Sequence, residues 1–451
     1  MSDGDFDLIV LGAGSGARDG ANRAARDYGA RVALVESTRW GGSCPNVACK
    51  PTKAYLVAAE LAHDISTLAE RLGIATGPAR VDLARVKARK DSLIVGPDTW
   101  MERLHGAGHA TYDGFGSFLD ASTVQVNGSL LRAERVLVAT GSRTAVPPID
   151  GLDEVGWIDH VSALELTELP PALLVVGGGP VGLELAQIFS RFGSQVTLVQ
   201  SADRISPRSD ADATEQLTAA LVAEGIDVRT GTTVSSVRRE GGRAVASVGG
   251  DELVVDRVLL ASGRAPNVER LGLDRAGVER SRAGITVDDR MRTSTEGVWA
   301  AGDVTGTHQF TPVAQYQARV AVDDMFGGEG ARADYEWLPT AIFTDPELAS
   351  VGLTEEEARR LGLDVETAVH PIRFVQRASY TGLEHGLYKL VWRRDDRRVL
   401  GLHVVTRNAS DVVQGLALAC RLGATVDDLA RMHHAFPTWG EGVKAAAEQA
   451  V

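Results

Sequence analysis

The chain has 451 residues, of which 44% are hydrophobic and 24% are charged, and it contains 49 glycines. This length and composition exclude a disordered chain and a small disulfide-stapled scaffold, and on size alone they predict about three domains. Lys and Arg number 47 against 60 Asp and Glu, which gives a net charge of −13 and opposes binding to nucleic acid or to an anionic membrane.

No export or membrane signal is predicted. The first twelve residues are acidic and lead directly into a predicted strand, unlike a secretory signal. The nearest candidate for a membrane span, 172–189, is interrupted by Gly177, Gly178, Gly179, Pro180 and Glu184. Three cysteines are too few for a disulfide framework in a chain of this length. We therefore expect a cytoplasmic protein that has neither a nucleic acid nor a membrane as its partner.

The first predicted elements form a β-α-β unit. Residues 6–12 are predicted as a buried parallel strand, 13–29 as a helix and 31–36 as a second strand. The turn Gly12-Ala13-Gly14-Ser15-Gly16-Ala17 opens the helix, and Glu36 ends the second strand. Glycines let the backbone approach a pyrophosphate at a helix N-terminus, and the carboxylate accepts hydrogen bonds from ribose hydroxyls. Together these features predict a nucleotide site.

Two cysteines follow in the segment GGSCPNVACKPTK. Five residues of regular helix advance ~7.5 Å, beyond the ~7 Å Cα separation that a disulfide tolerates, so a bond between Cys44 and Cys49 requires a distorted first turn. A strained local disulfide is easily reduced, which favours a redox pair. The alternative is a zinc site completed by His433 and His434. Lys53 lies four residues after Cys49, so on a helix it shares that face and could stabilise an anion there.

The same plan returns after a middle segment, in which 60–110 is predicted as helical and 111–139 as strands. Residues 173–200 repeat the strand, glycine turn, helix and strand, with Gly177-Gly178-Gly179-Pro180-Val181-Gly182 as the turn. Here Gln200 replaces the acid at the strand end, which removes a repulsion against a ribose 2′-phosphate, and Arg204 and Arg208 follow. This favours NADPH over NADH. The alternative is that both arginines are solvated surface charges.

The remaining segments indicate how the domains connect. RVLLASGRAPN at 257–267 echoes RVLVATGSRTAVP at 135–147, and each is predicted as a strand that leaves one nucleotide domain for the next. From 334 onward the composition changes to strands followed by helices. The predicted fold class is α/β, with two Rossmann-like nucleotide-binding domains and a C-terminal domain of α+β character.

Several motifs, in this order and spacing, resemble those of one family. They are GAGSGA with Glu36, GGSC-x4-C-x-PTK, ATG at 139–141, GGGPVGLELA, ASGRAPN, TSTEGVWAAGDV at 293–304 and FTDPELASVGLTE at 343–355. The sequence resembles the FAD-dependent pyridine nucleotide-disulfide oxidoreductases, the group of glutathione reductase, dihydrolipoamide dehydrogenase and mercuric reductase. The resemblance covers nearly the whole chain.

The resemblance implies three domains and two cofactors. An FAD-binding domain would comprise 1–147 and 265–330, an NAD(P)H-binding domain 148–264, and an interface domain 331–451 that forms a homodimer with shared active sites. The implied FAD contacts are Gly12, Gly14, Gly16, Ala17, Glu36, Ser43, Lys53, Gly114, Ala139, Thr140, Gly141, Asp303, Pro312 and Val313. The implied contacts of NADPH or NADH are Gly177, Gly179, Gly182, Gln200, Ser201, Arg204, Arg208 and Gly263.

The resemblance also implies an electron path. Hydride would pass from the nicotinamide to FAD, and Cys49 would take electrons from the other face of the flavin, leaving Cys44 as the exposed interchange thiol. Lys53 would pair with Glu184 beside flavin N5. The helix that begins near Pro312 would direct its positive end at the pyrimidine edge of the flavin. Cys420, in an apolar helical run, is predicted to be a packed core residue.

One position departs from the family pattern. In the stretch from His434 to Glu441, Phe436 stands where the disulfide reductases have the histidine that protonates thiols, and a phenyl ring carries no proton. We interpret His434 as a structural residue rather than a substitute base, with Glu441 retained. The leading hypothesis is an NAD(P)H-dependent flavoprotein whose small-molecule electron acceptor is a quinone, a metal ion or similar, rather than a common thiol disulfide.

Two alternatives stay open. One is a reductase of an unusual low-molecular-weight disulfide, or a mercuric-reductase-like enzyme, in which His434 or water supplies the proton. The other, from a different class, is a nucleotide-binding redox sensor of low turnover. The second ranks last because the chain keeps both cysteines, both glycine motifs and the pair Lys53 and Glu184.

Overall fold

The computed structural model describes residues 4–328 and 330–451. These residues divide into two compact units. The first unit comprises 4–51, Lys90–Ala145 and Gly263–Asp334, and the second comprises Thr52–Arg89, Val146–Ser262 and Tyr335–Val451. The bounds of the three predicted domains stay a prediction.

The strands are short and are numbered here in chain order. They are β1 (Asp5–Phe6), β2 (Leu8–Leu11), β3 (Val32–Glu36), β4 (Ala110–Asp113), β5 (Ser117–Asp120), β6 (Thr123–Val126), β7 (Ser129–Ala133), β8 (Val136–Val138), β9 (Ser142–Thr144), β10 (Ala172–Val176), β11 (Gln195–Val199), β12 (Asp227–Arg229), β13 (Val234–Glu240), β14 (Arg243–Val248), β15 (Asp251–Val255), β16 (Arg257–Leu260), β17 (Arg264–Pro266), β18 (Val298–Ala300), β19 (Thr340–Ile342), β20 (Glu347–Gly352), β21 (Val365–Pro371), β22 (Leu387–Arg393) and β23 (Val399–Thr406).

The helices are numbered in the same way. They are α1 (Ser15–Tyr28), α2 (Ser43–Asn46), α3 (Cys49–His63), α4 (Ala69–Arg71), α5 (Leu83–Ser92), α6 (Pro97–Gly106), α7 (Leu152–Val155), α8 (His160–Ala163), α9 (Pro180–Phe192), α10 (Ala211–Ala223), α11 (Leu273–Ala276), α12 (Thr311–Met325), α13 (Glu355–Arg360), α14 (Gln376–Thr381), α15 (Ala409–Arg421), α16 (Val426–Arg431) and α17 (Glu441–Ala447). A π-helical segment, Asp64–Leu68, continues α3. Within the described residues, no helix is long and apolar enough to cross a membrane.

The first unit is built on a parallel sheet in the order β18-β8-β2-β3-β4. The side chains of β2 alternate between two apolar clusters. Leu8 and Val10 pack with α1 and α12, whereas Ile9 and Leu11 pack with the small sheet β1-β7-β6-β5. Because both faces of β2 are covered, the strand is a continuous apolar run rather than an alternating one. The predicted first β-α-β unit is therefore present.

The second unit contains the repeat of this plan. Its parallel sheet has the order β12-β11-β10-β16, and β10 (ALLVV) is buried throughout. Helix α9 follows β10 and buries Leu183, Leu185, Ile188 and Phe189 in the same core as Leu173 and Val175. A separate antiparallel sheet, β13-β14-β15, belongs to the same unit.

The C-terminal part of the second unit is an antiparallel sheet in the order β19-β20-β23-β22-β21. Helices α15 and α17 cover it, with Val413 and Val443 in one core with Leu390, Leu402 and Val404. Two parallel sheets that each carry a glycine turn, followed by this antiparallel sheet, confirm the predicted α/β class with an α+β C-terminal part.

A buried ion cluster lies in the second unit. Lys389, on β22 and 2% exposed, donates from Nζ to Asp212 Oδ2 at 2.7 Å and lies 3.0 Å from Asp210 Oδ2 and 2.9 Å from Glu355 Oε2. These carboxylates raise the pKa of Lys389 against the opposing effect of burial. The cluster connects the start of α10, the start of α13 and the C-terminal sheet.

Candidate active site

The first glycine turn lies between β2 and α1 and has no room for side chains. Gly12 has a φ of +112°, and a Cβ there would lie 2.4 Å from the carbonyl oxygen of Ala139. A Cβ on Gly42 would lie 2.4 Å from Gly14 Cα. Among the described residues, no side chain caps the N-terminus of α1 at Gly14. The first N–H groups of the helix are therefore available to an anion, as a pyrophosphate site requires.

Glu36 brings a carboxylate to this turn. Its Oε2 accepts a hydrogen bond from Ala13 N at 2.8 Å, and its Oε1 accepts from Thr38 N and Thr38 Oγ1, each at 2.8 Å. The main chain of Gly114, with a φ of +138°, donates to the carbonyl of Glu36 at 2.8 Å. An uncapped helix end offers N–H donors to a pyrophosphate, and the strand-end carboxylate beside it offers acceptors to a ribose, so these residues fit FAD.

Other predicted FAD contacts also lie in the first unit. Asp303 Oδ2 accepts from Ser142 Oγ at 2.5 Å and lies 3.5 Å from Arg264 Nε. Ala139 N donates to Leu11 O at 2.8 Å, and Thr140 Oγ1 donates to Asn267 O at 2.7 Å. Helix α12 begins at Thr311, which places Pro312 and the buried Val313 in its first turn, as predicted. Two further predicted FAD contacts lie in this unit. Gly141 has a φ of +70°, and Ser43 is exposed to solvent.

The second glycine turn reproduces the first. A Cβ on Gly177 would lie 2.3 Å from the carbonyl oxygen of Ala261, and one on Gly182 would lie 1.9 Å from the carbonyl oxygen of Gly177. Gln200 Oε1 accepts from Gly178 N at 2.9 Å, in the same relation that Glu36 has to Ala13. The second turn therefore has the same geometry with a neutral amide in place of the carboxylate.

The predicted 2′-phosphate residues differ in their surroundings. Arg204 donates to Glu356 Oε2 at 2.7 Å and to Pro207 O at 3.2 Å, and the bond to Glu356 raises its pKa. Arg208 and Ser201 are exposed. Gly263, with a φ of +119°, belongs to the first unit, whereas the other predicted nicotinamide contacts belong to the second. Arg204 is thus already engaged by a carboxylate, and Arg208 is presented to solvent.

The two N-terminal cysteines lie on either side of a break in the helix. Helix α2 ends at Asn46, the following Val47 has a φ of −138°, and α3 begins at Cys49, so the distorted turn that a Cys44–Cys49 bond requires is present. Cys44 is half-buried and Cys49 is exposed. Asn46 Nδ2 donates to Trp40 O at 3.0 Å and to Gly42 O at 2.7 Å, which fixes the turn before Cys44. The sulfur of Cys49 lies 3.7 Å from Thr311 Oγ1.

Lys53 and Glu184 form an ion pair in the second unit. Lys53 Nζ donates to Glu184 Oε2 at 2.6 Å, and the other oxygen, Oε1, accepts from Phe343 N at 3.1 Å. Lys53 Nζ also lies 4.2 Å from the centre of the Phe343 ring. The pairing that the resemblance implies is present, and Phe343 completes it. Sequence reasoning missed Phe343, although it opens the motif FTDPELASVGLTE.

The C-terminal segment presents Phe436 to solvent, with 73% of the residue exposed. His434 is half-buried, and burial, followed by Lys444, lowers its pKa. Within the described residues, His434 Nε2 and Glu441 Oε2 have no hydrogen-bond partner, whereas Glu441 Oε1 accepts from Gln376 N at 2.8 Å. A backbone amide therefore holds Glu441, and Phe436, two residues after His434, presents an exposed apolar ring.

The zinc alternative receives no support. Over 4–328 and 330–451, no group of three or more His, Cys, Asp and Glu side chains could hold a metal ion. Cys420 is 1% exposed in the C-terminal core, and burial raises the pKa of its thiol to about 11. The prediction that Cys420 is a packed apolar residue is confirmed.

Comparison with known proteins agrees with this site. Residues 6–318 match the family described as pyridine nucleotide-disulphide oxidoreductase, and residues 338–447 match its dimerisation domain. The chain is 37% identical to a mercuric reductase of Lysinibacillus sphaericus (99% of this chain, 83% of the relative). It is 39% identical to a dihydrolipoyl dehydrogenase of Thermus scotoductus (98% and 97%).

Solved structures agree as well. The HOCl-induced flavoprotein disulfide reductase RclA from Escherichia coli superposes with a TM-score of 0.88 at 28% identity, covering 98% of this chain and 99% of that one. A Cu(II) complex of the same reductase superposes with a TM-score of 0.86, covering 97% and 98%. The chain belongs to the pyridine nucleotide-disulfide oxidoreductase family. It is an oxidoreductase of a family whose members use FAD and NAD(P)H.

Proposed function

We propose that this enzyme is an NAD(P)H-dependent flavoprotein reductase whose electron acceptor is a metal ion rather than a common thiol disulfide. The observation that carries the proposal is Phe436, an exposed ring where the disulfide reductases have a proton-carrying histidine. Disulfide reduction requires a proton for each departing thiolate, and a positioned acid contributes about 10²–10⁴-fold to such steps. An acceptor that needs electrons without a positioned proton loses nothing by this replacement.

The names of the relatives favour a metal ion over the other acceptors. One relative over nearly the whole chain is named a mercuric reductase, and the E. coli reductase of similar fold has been solved as a Cu(II) complex. Both names associate this arrangement of domains with thiophilic cations. A quinone is the alternative acceptor, since the protons that its reduction takes up can come from water rather than from a fixed acid.

The residues of this chain have separable tasks in this proposal. FAD, when bound, supplies two-electron transfer between a nicotinamide and a dithiol. The turn from Gly12 to Ala17 offers backbone N–H groups to its pyrophosphate, and Glu36 accepts from its ribose. Glu184 fixes the ammonium of Lys53 as a cation at a defined place. The positive end of α12, beside Thr311, favours negative charge on the sulfur of Cys49.

Nicotinamide preference and assembly are part of the proposal. The neutral Gln200 and the exposed Arg208 favour NADPH, because the first removes a repulsion against a 2′-phosphate and the second offers it a cation. The match of residues 338–447 to a dimerisation domain supports a homodimer.

A replacement of Phe436 by histidine tests the acceptor class. Steady-state NADPH oxidation is measured with chelated Cu(II), with glutathione disulfide and with lipoamide, for the wild type and for Phe436→His. We expect the wild type to turn over Cu(II) and to be slow with both disulfides. Phe436→His should raise disulfide turnover by about 10²-fold or more and leave Cu(II) turnover within a few-fold.

The matched control is Phe374→His. Phe374 is another exposed ring of the second unit, 64% exposed, and it lies outside the segment from His434 to Glu441. Its replacement should leave both activities unchanged. Fast disulfide turnover by the wild type, or an unchanged disulfide rate in Phe436→His, would contradict the proposal.

A second candidate, a reductase of an unusual low-molecular-weight disulfide, rests on His434. His434 lies two residues before Phe436, and among the described residues its Nε2 has no hydrogen-bond partner, so this nitrogen is available to carry a proton. This candidate predicts that His434→Gln abolishes turnover of some small disulfide in a screen that follows NADPH oxidation. A histidine that is only structural predicts no such loss.

A further inference from the structure

Arg18, in the first turn of α1, lies against an aromatic ring in the first unit. The guanidinium carbon of Arg18 is 4.0 Å from the centre of the Trp100 ring, and that of Arg103 is 4.9 Å from the centre of the same ring. A planar guanidinium stacked on an indole keeps its charge while losing much of its freedom to move. Arg18 is therefore a cation held in a fixed place.

The same indole packs against the turn that carries Cys44. A Cβ on Gly41 would lie 2.6 Å from Trp100 Cδ1 and Nε1, and Gly41 has a φ of +94°. The turn is also held by Asn46, whose amide donates to Trp40 O and Gly42 O. One ring thus positions both the cation of Arg18 and the backbone three residues before Cys44.

The charge of Arg18 has few ways to be balanced. The side chain is half-buried, and among the described residues its Nε has no hydrogen-bond partner, while Nη2 lies 3.5 Å from Ser15 Oγ. Burial lowers the pKa of Arg18, and the largest opposing effect comes from Cys44. Electrostatic coupling between two groups is mutual, so a thiolate that stabilises the guanidinium is stabilised by it to the same extent.

The other charged groups near this pair do not replace Arg18. Asp19 acts on Arg18 favourably, but it is itself paired with Arg319. Arg103 is a second cation and acts on Arg18 unfavourably. Lys50, on the side of Cys49, is exposed.

We propose that Arg18 is a positioning residue that keeps Cys44 as a thiolate in the reduced enzyme. Its positive charge replaces the electrostatic stabilisation of the thiolate that an imidazole at position 436 would otherwise provide. The inference rests on the proposed function, in which reduced Cys44 must be ready to give up electrons without a base. A guanidinium cannot accept the proton, so it stabilises charge without restoring acid catalysis. Trp100 contributes by fixing the guanidinium.

The test is the pH dependence of alkylation at Cys44. The purified, FAD-containing Cys49→Ser enzyme is reduced and treated with iodoacetamide at a series of pH values. Labelling of the Cys44 peptide is followed by mass spectrometry. Cys420 is 1% exposed and serves as an internal slow site. The compared variants, all in this background, are Arg18→Gln, Arg18→Lys and, as the matched control on the same ring, Arg103→Gln.

We expect Arg18→Gln to move the midpoint of the rate profile to higher pH by about one unit, as loss of a nearby opposite charge does. Below the midpoint, the thiolate fraction falls about tenfold, but each thiolate becomes more nucleophilic, so the measured rate falls about three- to fourfold. Arg18→Lys should retain most of the wild-type profile. Arg103→Gln should not move the midpoint upward.

An unmoved midpoint in Arg18→Gln would overturn the inference. Loss of FAD from Arg18→Gln with an unmoved midpoint would also overturn it, and would assign Arg18 to the pyrophosphate instead. If Arg18→Gln fails to fold, Arg18→Met, which keeps the apolar stem, takes its place. The readout needs no turnover, so failure of this inference is distinguishable from failure of the Cu(II) and disulfide comparison.

Discussion

The buried carboxylate of Glu184 holds two different groups in place. It is 6% exposed, and its two oxygens have different partners, the ammonium of Lys53 and the backbone N–H of Phe343. The ring of Phe343 in turn lies against the Lys53 ammonium. One side chain therefore orients a cation directly and also fixes the backbone of the ring that contacts that cation.

Glu184→Ala should lower the free energy of unfolding by about 1–3 kcal/mol, because it leaves the N–H of Phe343 and the Lys53 ammonium without their acceptor. Glu184→Gln keeps an acceptor for Phe343 and loses only the charge, so it should cost less. Urea unfolding followed by circular dichroism measures both changes. Glu215→Ala, at an exposed position on α10, is the control and should stay within about 0.5 kcal/mol of the wild type. Equal losses in the Ala and Gln variants would contradict this account.

At the scale of elements, the turn before Cys44 depends on glycine for two separate reasons. Gly42 has a φ of +75° and a ψ of −170°, a region that is essentially restricted to glycine and costs another residue about 1–3 kcal/mol. It also touches the glycine turn of α1, since a Cβ would lie 2.4 Å from Gly14 Cα. The segment of the redox cysteines and the helix end that fits the pyrophosphate are thus in direct backbone contact.

Gly42→Ala should therefore release FAD as well as destabilise the fold. Gly29→Ala is the matched control, because Gly29 also has a left-handed φ of +67° but open space around a Cβ. Gly29→Ala should lose about 1–2 kcal/mol from left-handed strain. Gly42→Ala should lose at least as much from its own backbone strain, and it alone should displace the α1 turn. The ratio of flavin to protein absorbance after gel filtration measures retention. Equal flavin content in the two variants would show that the close contact does not matter for binding.

At the scale of the whole molecule, the net charge of −13 makes the placement of each buried cation important. Lys389 is one such cation, with Asp210, Asp212 and Glu355 around it. Asp210 is 2% exposed and also caps α10, so it cannot turn to solvent if Lys389 is removed. The cluster connects parts of the second unit that are more than a hundred residues apart in sequence.

Lys389→Met should cost about 3–5 kcal/mol of unfolding free energy at neutral pH, because it leaves the buried carboxylate of Asp210 without its cation. The pKa of Glu355 is lowered, first by its bond to Lys389, so the stability from this carboxylate is present above its usual pKa and is lost as the pH falls through the folded value. The difference between wild type and variant should therefore shrink below about pH 4.5. Thermal unfolding across pH measures this, with the half-exposed Lys444→Met as control. A difference that does not change with pH would contradict it.

Local patterns allowed much of this molecule to be predicted. Both glycine turns, the strand-end residues Glu36 and Gln200, and the helix break between the cysteines follow from spacing over a few residues. Contacts between distant segments were not predicted: Glu356 lies far along the chain and accepts a hydrogen bond from Arg204, whose role as a phosphate ligand stays a prediction. The contact between Trp100 and Arg18 was missed for the same reason, because the sequence around a single tryptophan in a helix does not indicate which residue its ring contacts.

The strand-end residues beside the two glycine turns, Glu36 and Gln200, differ in a single functional group. Glu36 and Gln200 make the same bond to the backbone of their own turn, so exchanging a carboxylate oxygen for an amide nitrogen leaves the loop in place while one negative charge disappears. Because the chain has this turn twice, a single Glu-to-Gln exchange at the strand end of either copy changes the charge that faces the sugar. The backbone of the turn stays the same, so the preference for a neutral or a phosphorylated sugar can change at one residue.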